Sequence, residues 1–311
     1  MAKTFLTLVL PGLASIVQQK INDTILPPSF KKIMSKSRFE ADDSNLTRLL
    51  FNAFSETTIA SSDLPYAQLL APQTTTICAT PCYLHADRDR LLLFANEHRL
   101  SEQECADLID ELQPLFIEFD AELIKHQSGE LLLQLNTLPN VSFSALADVT
   151  GKAVTDYLPK GEDRINWIRL WNEIQMKLYD SNFNQQRQQA EKMPINSLWF
   201  WGRGKLQVKR DYWHSVQGEN PILKQLTLAS SARFNDSTSN SVKSLDAGRH
   251  LWVLDELNLE NNWQQQLDQW QQDLFQPIWE QCRKAKINQL NLVIPEYGSY
   301  QLTTLASWKF W

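Results

Sequence analysis

Glycine is scarce in this sequence: 9 of 311 residues, about 3% where about 7% is usual. Phosphate-cradling loops need several glycines within a few residues, so P-loop and dinucleotide-binding folds are disfavoured. Histidine is scarcer. His85, His98, His126, His214 and His250 are all there are, and no two stand at the i, i+4 spacing of a helical metal pair. Of the four cysteines, Cys78 and Cys82 are separated by three residues, with no second pair at zinc-ribbon distance. Four reduced thiols are expected, with a redox switch at Cys78/Cys82 as the alternative. No run approaches the roughly 18 apolar residues of a membrane span, and Pro11-Gly12 interrupts the apolar start too early for a signal peptide. These absences lead us to expect a cytoplasmic protein without a membrane partner. Lys plus Arg total 30 and Asp plus Glu 36, a net charge of −6, which argues against a dedicated nucleic-acid binder.

Hydrophobic residues make up 43% of the chain and charged ones 21%, enough apolar material for a large core. Phe5 to Leu10 is a continuous apolar strand of the parallel-sheet kind. Leu46, Leu49, Leu50 and Phe54 mark a helix. Tyr83 to Phe94 reads as strand, turn, strand. Ser101-Glu102-Gln103-Glu104 is a capping box ahead of a helix that buries Leu108, Leu112 and Leu115. Leu131 to Leu135 is a strand. Ile165 to Tyr179 is a helix with Ile168, Trp171, Ile174 and Leu178 as its apolar stripe. Ser197 to Trp201 is an aromatic strand, and residues 229–249 read as a surface loop. After the strand Leu251 to Leu254, the series Trp263, Leu267, Trp270, Leu274, Ile278, Cys282 predicts a long amphipathic helix. Leu290 to Ile294 and Tyr300 to Thr304 form a closing strand pair. Strands alternate with helices at both ends, which implies an α/β sheet, and the less regular middle reads as an inserted second unit. All eleven tryptophans lie at or after Trp167. They fill the core or form an interaction surface, and either reading is open at this point.

The most distinctive stretch is Met193-Pro194-Ile195-Asn196-Ser197-Leu198-Trp199-Phe200-Trp201-Gly202-Arg203-Gly204, preceded by Asn184-x-x-Arg187. It resembles the RpfE-type bacterial regulatory proteins. Through them it is similar to archaeal-type cofactor-independent phosphoglycerate mutases, which carry His-Pro-x-Asn-x-x-Arg, then Pro-x-Asn, then Trp-x-Trp-Gly-x-Gly. The strand at 5–10, the Tyr83–Leu115 segment, Tyr157-Leu158-Pro159-Lys160-Gly161 and the final strand–helix–strand have counterparts, so the resemblance covers most of the chain. It implies a phosphatase-superfamily-like sheet flanked by helices, built from residues 1–64 plus 191–311. A smaller α+β unit of the substrate-domain kind, residues 65–190, is inserted into it. In the mutases two manganese or zinc ions and a serine move a phosphoryl group between hydroxyls of a glycerate, a reaction that needs carboxylate and imidazole ligands.

That requirement is poorly met here. The first strand of the mutases ends in Asp-Gly, whereas this one ends in Leu10-Pro11-Gly12. Asp255 survives after the later strand, but no histidine follows it. The last strand ends in Ile294-Pro295-Glu296 in place of Asp-His. Asp255 and a shifted Glu296 are the residual metal candidates, and one or two carboxylates do not hold two divalent ions. Ser15 is a candidate nucleophile without a partner nearby in sequence. Ser181 stands where the family has histidine, and Arg203 where RpfE-like proteins commonly have glycine. The expectation is therefore a non-catalytic, regulatory relative that uses no metal. Its anionic ligand would be bound by Arg88, Arg90, Asn184, Arg187, Asn196 and Arg203, in a cleft between core and insert. Arg88 and Arg90 belong to the dense turn His85-Ala86-Asp87-Arg88-Asp89-Arg90, which also reads as a solvated hairpin tip. Two alternatives stay open: an active mutase or phosphatase using manganese or zinc on rearranged ligands, and an interaction protein that binds a partner, or itself, through its Trp-rich half.

Overall fold

The computed structural model describes residues 3–18, 26–72, 74–95, 100–235, 242–257, 259 and 262–308. The expected features at His98 and Trp311, and part of the 229–249 segment, lie outside them. In chain order the strands are β1 (Thr4–Val9), β2 (Arg38–Asp42), β3 (Thr76–Asp87), β4 (Arg90–Phe94), β5 (Ala121–Lys125), β6 (Leu131–Leu135), β7 (Val141–Ser142), β8 (Lys160–Gly161), β9 (Ser197–Trp201), β10 (Ser215–Gln217), β11 (Arg233–Asn235), β12 (Gly248–Val253), β13 (Gln289–Ile294) and β14 (Tyr297–Thr303). The chain is mixed α/β and divides into two compact units, Met1–Thr57 with Val208–Trp311, and Thr58–Gln207. No helix among the described residues is long and apolar enough to cross a membrane.

The first unit is built on one sheet in the order β11-β10-β12-β1-β13-β14-β2. Its strands from β11 to β13 are parallel, and β14 and β2 are antiparallel additions. Leu6, Leu8, Trp252, Leu290 and Leu292 point to one face and pack against Phe30, Ile33, Phe275 and Ile278 of the helices Pro28–Lys36 and 263–283. The second of these helices departs from the expected stripe. Its buried positions are Leu267, Trp270, Phe275, Ile278 and Cys282, so Phe275 replaces Leu274 and one step is five residues long. A π-helical turn over Gln271–Phe275 supplies the extra residue. Pro277 follows within the first turn of Gln276–Arg283, and its missing N–H removes one i→i−4 bond, which favours such a widened turn. The expected 229–249 loop is partly a strand, because Arg233–Asn235 pairs in parallel with β10.

His250 is buried in β12 with both ring nitrogens engaged. Nδ1 lies 2.7 Å from Ser215 Oγ and Nε2 lies 2.9 Å from the Asp246 carbonyl. A carbonyl only accepts, so Nε2 carries the proton and Nδ1 accepts from the serine hydroxyl. Burial lowers its pKa, and the ring is a neutral core element.

The second unit has an antiparallel sheet, β4-β3-β6-β5, with β9 also on β3. β9 pairs Cys78–Cys82 of β3 through Trp201–Ser197, so the aromatic strand belongs to this unit, whose end lies at Gln207 and not at 190. Cross-chain pairing has no signature in a strand's own residues. The capping box forms as expected: Glu104 N–H donates to Ser101 Oγ at 3.2 Å, and Glu104 Oε2 accepts from Ser101 N–H at 2.9 Å. Behind it Leu108, Leu112 and Phe116 are buried, the last in place of Leu115. In Arg164–Tyr179 the buried face is Trp167, Leu170, Trp171, Ile174 and Leu178. Trp167 meets Phe119, Phe143 and Phe200 edge to face at 5.1–5.2 Å, a favoured aromatic geometry. Seven of the tryptophans, Trp167, Trp171, Trp199, Trp201, Trp213, Trp252 and Trp270, are buried. Most of the tryptophans therefore lie in the interior, while Trp308 is 50% exposed.

Asp63 ties this unit together. Its Oδ1 accepts from the N–H groups of Leu64 and Gly202 at 2.8 and 2.9 Å, and its Oδ2 accepts from Arg203 N–H at 2.8 Å. The turn after β9 is thereby fixed to a segment 140 residues away. Asp63→Asn puts an amide donor where one carboxylate oxygen now accepts. We expect a loss of about 1–3 kcal/mol of stability, measurable by urea denaturation.

Candidate functional site

Open α/β sheets bind ligands at the carboxyl ends of their strands. In the first unit the strands β12, β1 and β13 are adjacent, so the segments after them stand side by side. Three backbone hydrogen bonds knit them: Leu254 N–H to the Val9 carbonyl at 3.0 Å, Leu10 N–H to Val293 at 2.9 Å, and Leu257 N–H to Pro11 at 3.1 Å. Gly12 has φ +78°, and a Cβ there would lie 2.8 Å from the Leu257 oxygen and 2.9 Å from its nitrogen. The chain after β12 thus folds directly onto the turn after β1, and the Leu257 side chain anchors it in the core. Asp255 and Glu296 are both exposed, and the Glu296 backbone is held by Ser44 and Gln18. Among the described residues no three His, Cys, Asp or Glu side chains cluster as a metal site would require. Among the described residues, these strand ends offer Asp255 and Glu296 with no third ligand beside them, a set that does not fit a pair of divalent ions.

The six expected anion ligands all lie in the second unit, and the structure does not bring them to one point. Asn184 is buried. Its Nδ2 donates to the carbonyls of Leu178 and Ile195, both at 2.7 Å, and its Oδ1 accepts from Ile195 N–H at 2.9 Å. Asn196 clamps one residue of β3, accepting from Leu84 N–H at 2.7 Å and donating to its carbonyl at 3.0 Å. Arg187 is 5% exposed, donates Nε to the Met193 carbonyl at 3.0 Å and pairs through Nη1 with Glu104 at 2.6 Å. Arg203 donates to the carbonyls of Pro139 and Val141, both at 2.5 Å. These four residues spend their polar atoms on the fold. Arg88 and Arg90 sit at the exposed β3–β4 tip, where Arg88 takes a left-handed φ of 56° and Arg90 pairs with Asp87 at 3.1 Å.

Asn184 and Asn196 do share one cleft, of about 390 Å³, with Ser181, Gln185, Gln188 and Lys192. Ser181, in the family's histidine position, caps the helix Asn182–Gln189 by accepting from Asn184 N–H. Lys192 is the cation on the wall, half-exposed and 3.0 Å from Glu104 Oε1. Nothing in its sequence neighbourhood marks it. Burial pushes the Glu104 carboxyl upward. Its hydrogen bonds from Ser101 and Lys192 and the Arg187 charge outweigh that and hold its pKa at about 2, below the ordinary 4.5. The four cysteines are buried and unpaired. Burial raises all four thiols, Cys282 to about 12, so they are protonated at neutral pH, poor metal ligands and poor redox groups.

No family model matches this chain. Over 58 residues it is 38% identical to the "Probable 2,3-bisphosphoglycerate-independent phosphoglycerate mutase" of Geobacter sulfurreducens, a match covering 19% of this chain and 14% of that protein. The "Cofactor-Independent Phosphoglycerate mutase from Thermoplasma Acidophilum DSM 1728" aligns over 97% of this chain and 90% of its own, with 13% identity and a TM-score of 0.45. The PH0037 protein from Pyrococcus horikoshii aligns over 97% and 88%, with 9% identity and a TM-score of 0.49. The chain thus has a short stretch of sequence similarity to a phosphoglycerate mutase.

Because Glu104 is held below its ordinary pKa, its contribution to stability is complete above pH 4.5 and is lost as the pH falls towards about 2. Thermal unfolding should show this decline, and Glu104→Gln should flatten it. The same substitution should cost about 1.5–3 kcal/mol at neutral pH, since Arg187 then lacks its charged partner.

Proposed function

We propose that this protein is a phosphoglycerate-mutase-like regulatory protein that binds an anionic small ligand and carries out no phosphoryl transfer of its own. One observation carries the reading: the ends of β1, β12 and β13 are bonded to one another through Leu10, Pro11, Leu254 and Leu257, where a two-ion reaction would need converging oxygen and imidazole donors. The similarity over 58 residues supports the mutase-like description. The finer placement among RpfE-type regulatory proteins rests on Asn184, Arg187 and the Met193–Gly204 stretch. Fold and chemistry separate readily, because function resides in sites and not in folds.

The ligand site is the cleft at Asn184 and Asn196, with Lys192 as its cation. Arg187 serves by fixing Glu104, which in turn positions Lys192. Arg203, Arg88 and Arg90 are not assigned to it. The test uses 3-phosphoglycerate as the probe. It should raise the melting temperature of the wild-type protein, Lys192→Gln should abolish that rise, and added manganese should yield no mutase turnover. Turnover that a chelator abolishes would contradict the reading, as would a melting temperature indifferent to the anion.

A further inference from the structure

We propose that this chain associates with a second copy of itself by pairing strand β2 with β2 across a two-fold axis, joining two seven-stranded sheets into one. β2 is the terminal strand of its sheet and, among the described residues, pairs only with β14. All five of its residues, Arg38-Phe39-Glu40-Ala41-Asp42, are exposed. A terminal strand carries a row of backbone N–H and C=O groups without ladder partners, which is a template for another strand.

Charges ordinarily guard such an edge, but these are arranged so that the strand complements itself. Side chains alternate between faces, so Arg38 and Glu40 share one face and Phe39 lies on the other. In an antiparallel pair centred on Phe39, Arg38 of each copy stands directly opposite Glu40 of the other, giving two cross-strand ion pairs, and the two Phe39 rings meet on the opposite face. Directly opposed side chains of opposite charge, and aromatic pairs, are the units that stabilise a sheet. Arg38 and Glu40 form no ion pair within their own chain among the described residues. A pairing centred on Glu40 would also give two ion pairs, Arg38 with Asp42, but it would oppose two carboxylates at its centre and separate the Phe39 rings, so the pairing centred on Phe39 is favoured.

Phe39 is also held ready. It is 43% exposed, yet its ring is fixed against Tyr300 at 4.8 Å and Tyr297 at 5.2 Å. It covers Gly298, whose absent Cβ would lie 2.8 Å from the ring. An aromatic ring over a glycine of the neighbouring strand restores packing that the glycine lacks, and a ring already ordered loses little entropy on association.

Sedimentation equilibrium over a wide concentration range tests this. The wild-type chain should show a monomer–dimer equilibrium. Arg38→Glu places like charges opposite each other twice and should weaken it by roughly tenfold or more. The double variant Arg38→Glu with Glu40→Arg restores the opposite pairing and should recover it. Both positions are exposed, so circular dichroism should not change, nor should the melting temperature at concentrations where the wild-type chain is monomeric. As a check on register, Phe39→Cys should form an interchain disulfide on oxidation, because the four native cysteines are buried. A chain that stays monomeric at every concentration overturns the proposal. So does a dimer indifferent to Arg38→Glu, or one that the double variant fails to restore.

Discussion

The hydrogen bond from Leu257 N–H to the Pro11 carbonyl is small, but the functional reading depends on it. It closes the turn after β1 with backbone from the segment after β12. It works only because Gly12 adopts φ +78° and has no Cβ to strike Leu257. The buried Leu257 side chain then locks the segment into the apolar core below the sheet. At the head of the central strands, where α/β sheets usually present chemistry, these main-chain groups already have their partners. Proline at position 11 suits this role. It lacks an N–H, and only its carbonyl is used.

The second unit shows the same economy in a different form. The Asn and Arg residues that define its most recognisable motif act mainly as backbone surrogates. Asn184 and Asn196 present donor and acceptor together and so complete ladders that the chain itself leaves open. Arg187 and Arg203 do this with guanidinium groups aimed at carbonyls. Glu104 joins two layers of organisation, completing the capping box at the start of one helix while neutralising a buried arginine. A motif can therefore persist because it holds a shape, with or without a reaction to serve.

Much of this was legible in the sequence, and the boundary between what was and was not is physical. Local signals were reliable: the apolar run at β1, the capping box at Ser101, the helix Leu46–Phe54 and the hairpin at β13–β14 all rest on interactions within a few residues. What escaped depends on distant parts of the chain. The membership of β9 in the second sheet, the grip of Asp63 on Gly202 and Arg203, and the clamp of Asn196 on Leu84 join residues more than a hundred positions apart. The π turn at Gln271–Phe275 escaped for another reason, since a regular 3.6-residue period was assumed across a proline that disrupts it. Asn184, Arg187 and Asn196 follow from the motif and Arg88, Arg90 and Arg203 from residue type, and neither signal reveals whether a polar atom is already engaged.

The central claim is that the ends of β1, β12 and β13 do not accept a pair of divalent ions. Anomalous diffraction at the manganese absorption edge, from crystals grown in excess manganese, addresses it directly. The account predicts no anomalous peak near Pro11, Asp255 and Glu296. Two ordered peaks a few ångströms apart at that position, bonded to side chains of this chain, would contradict it.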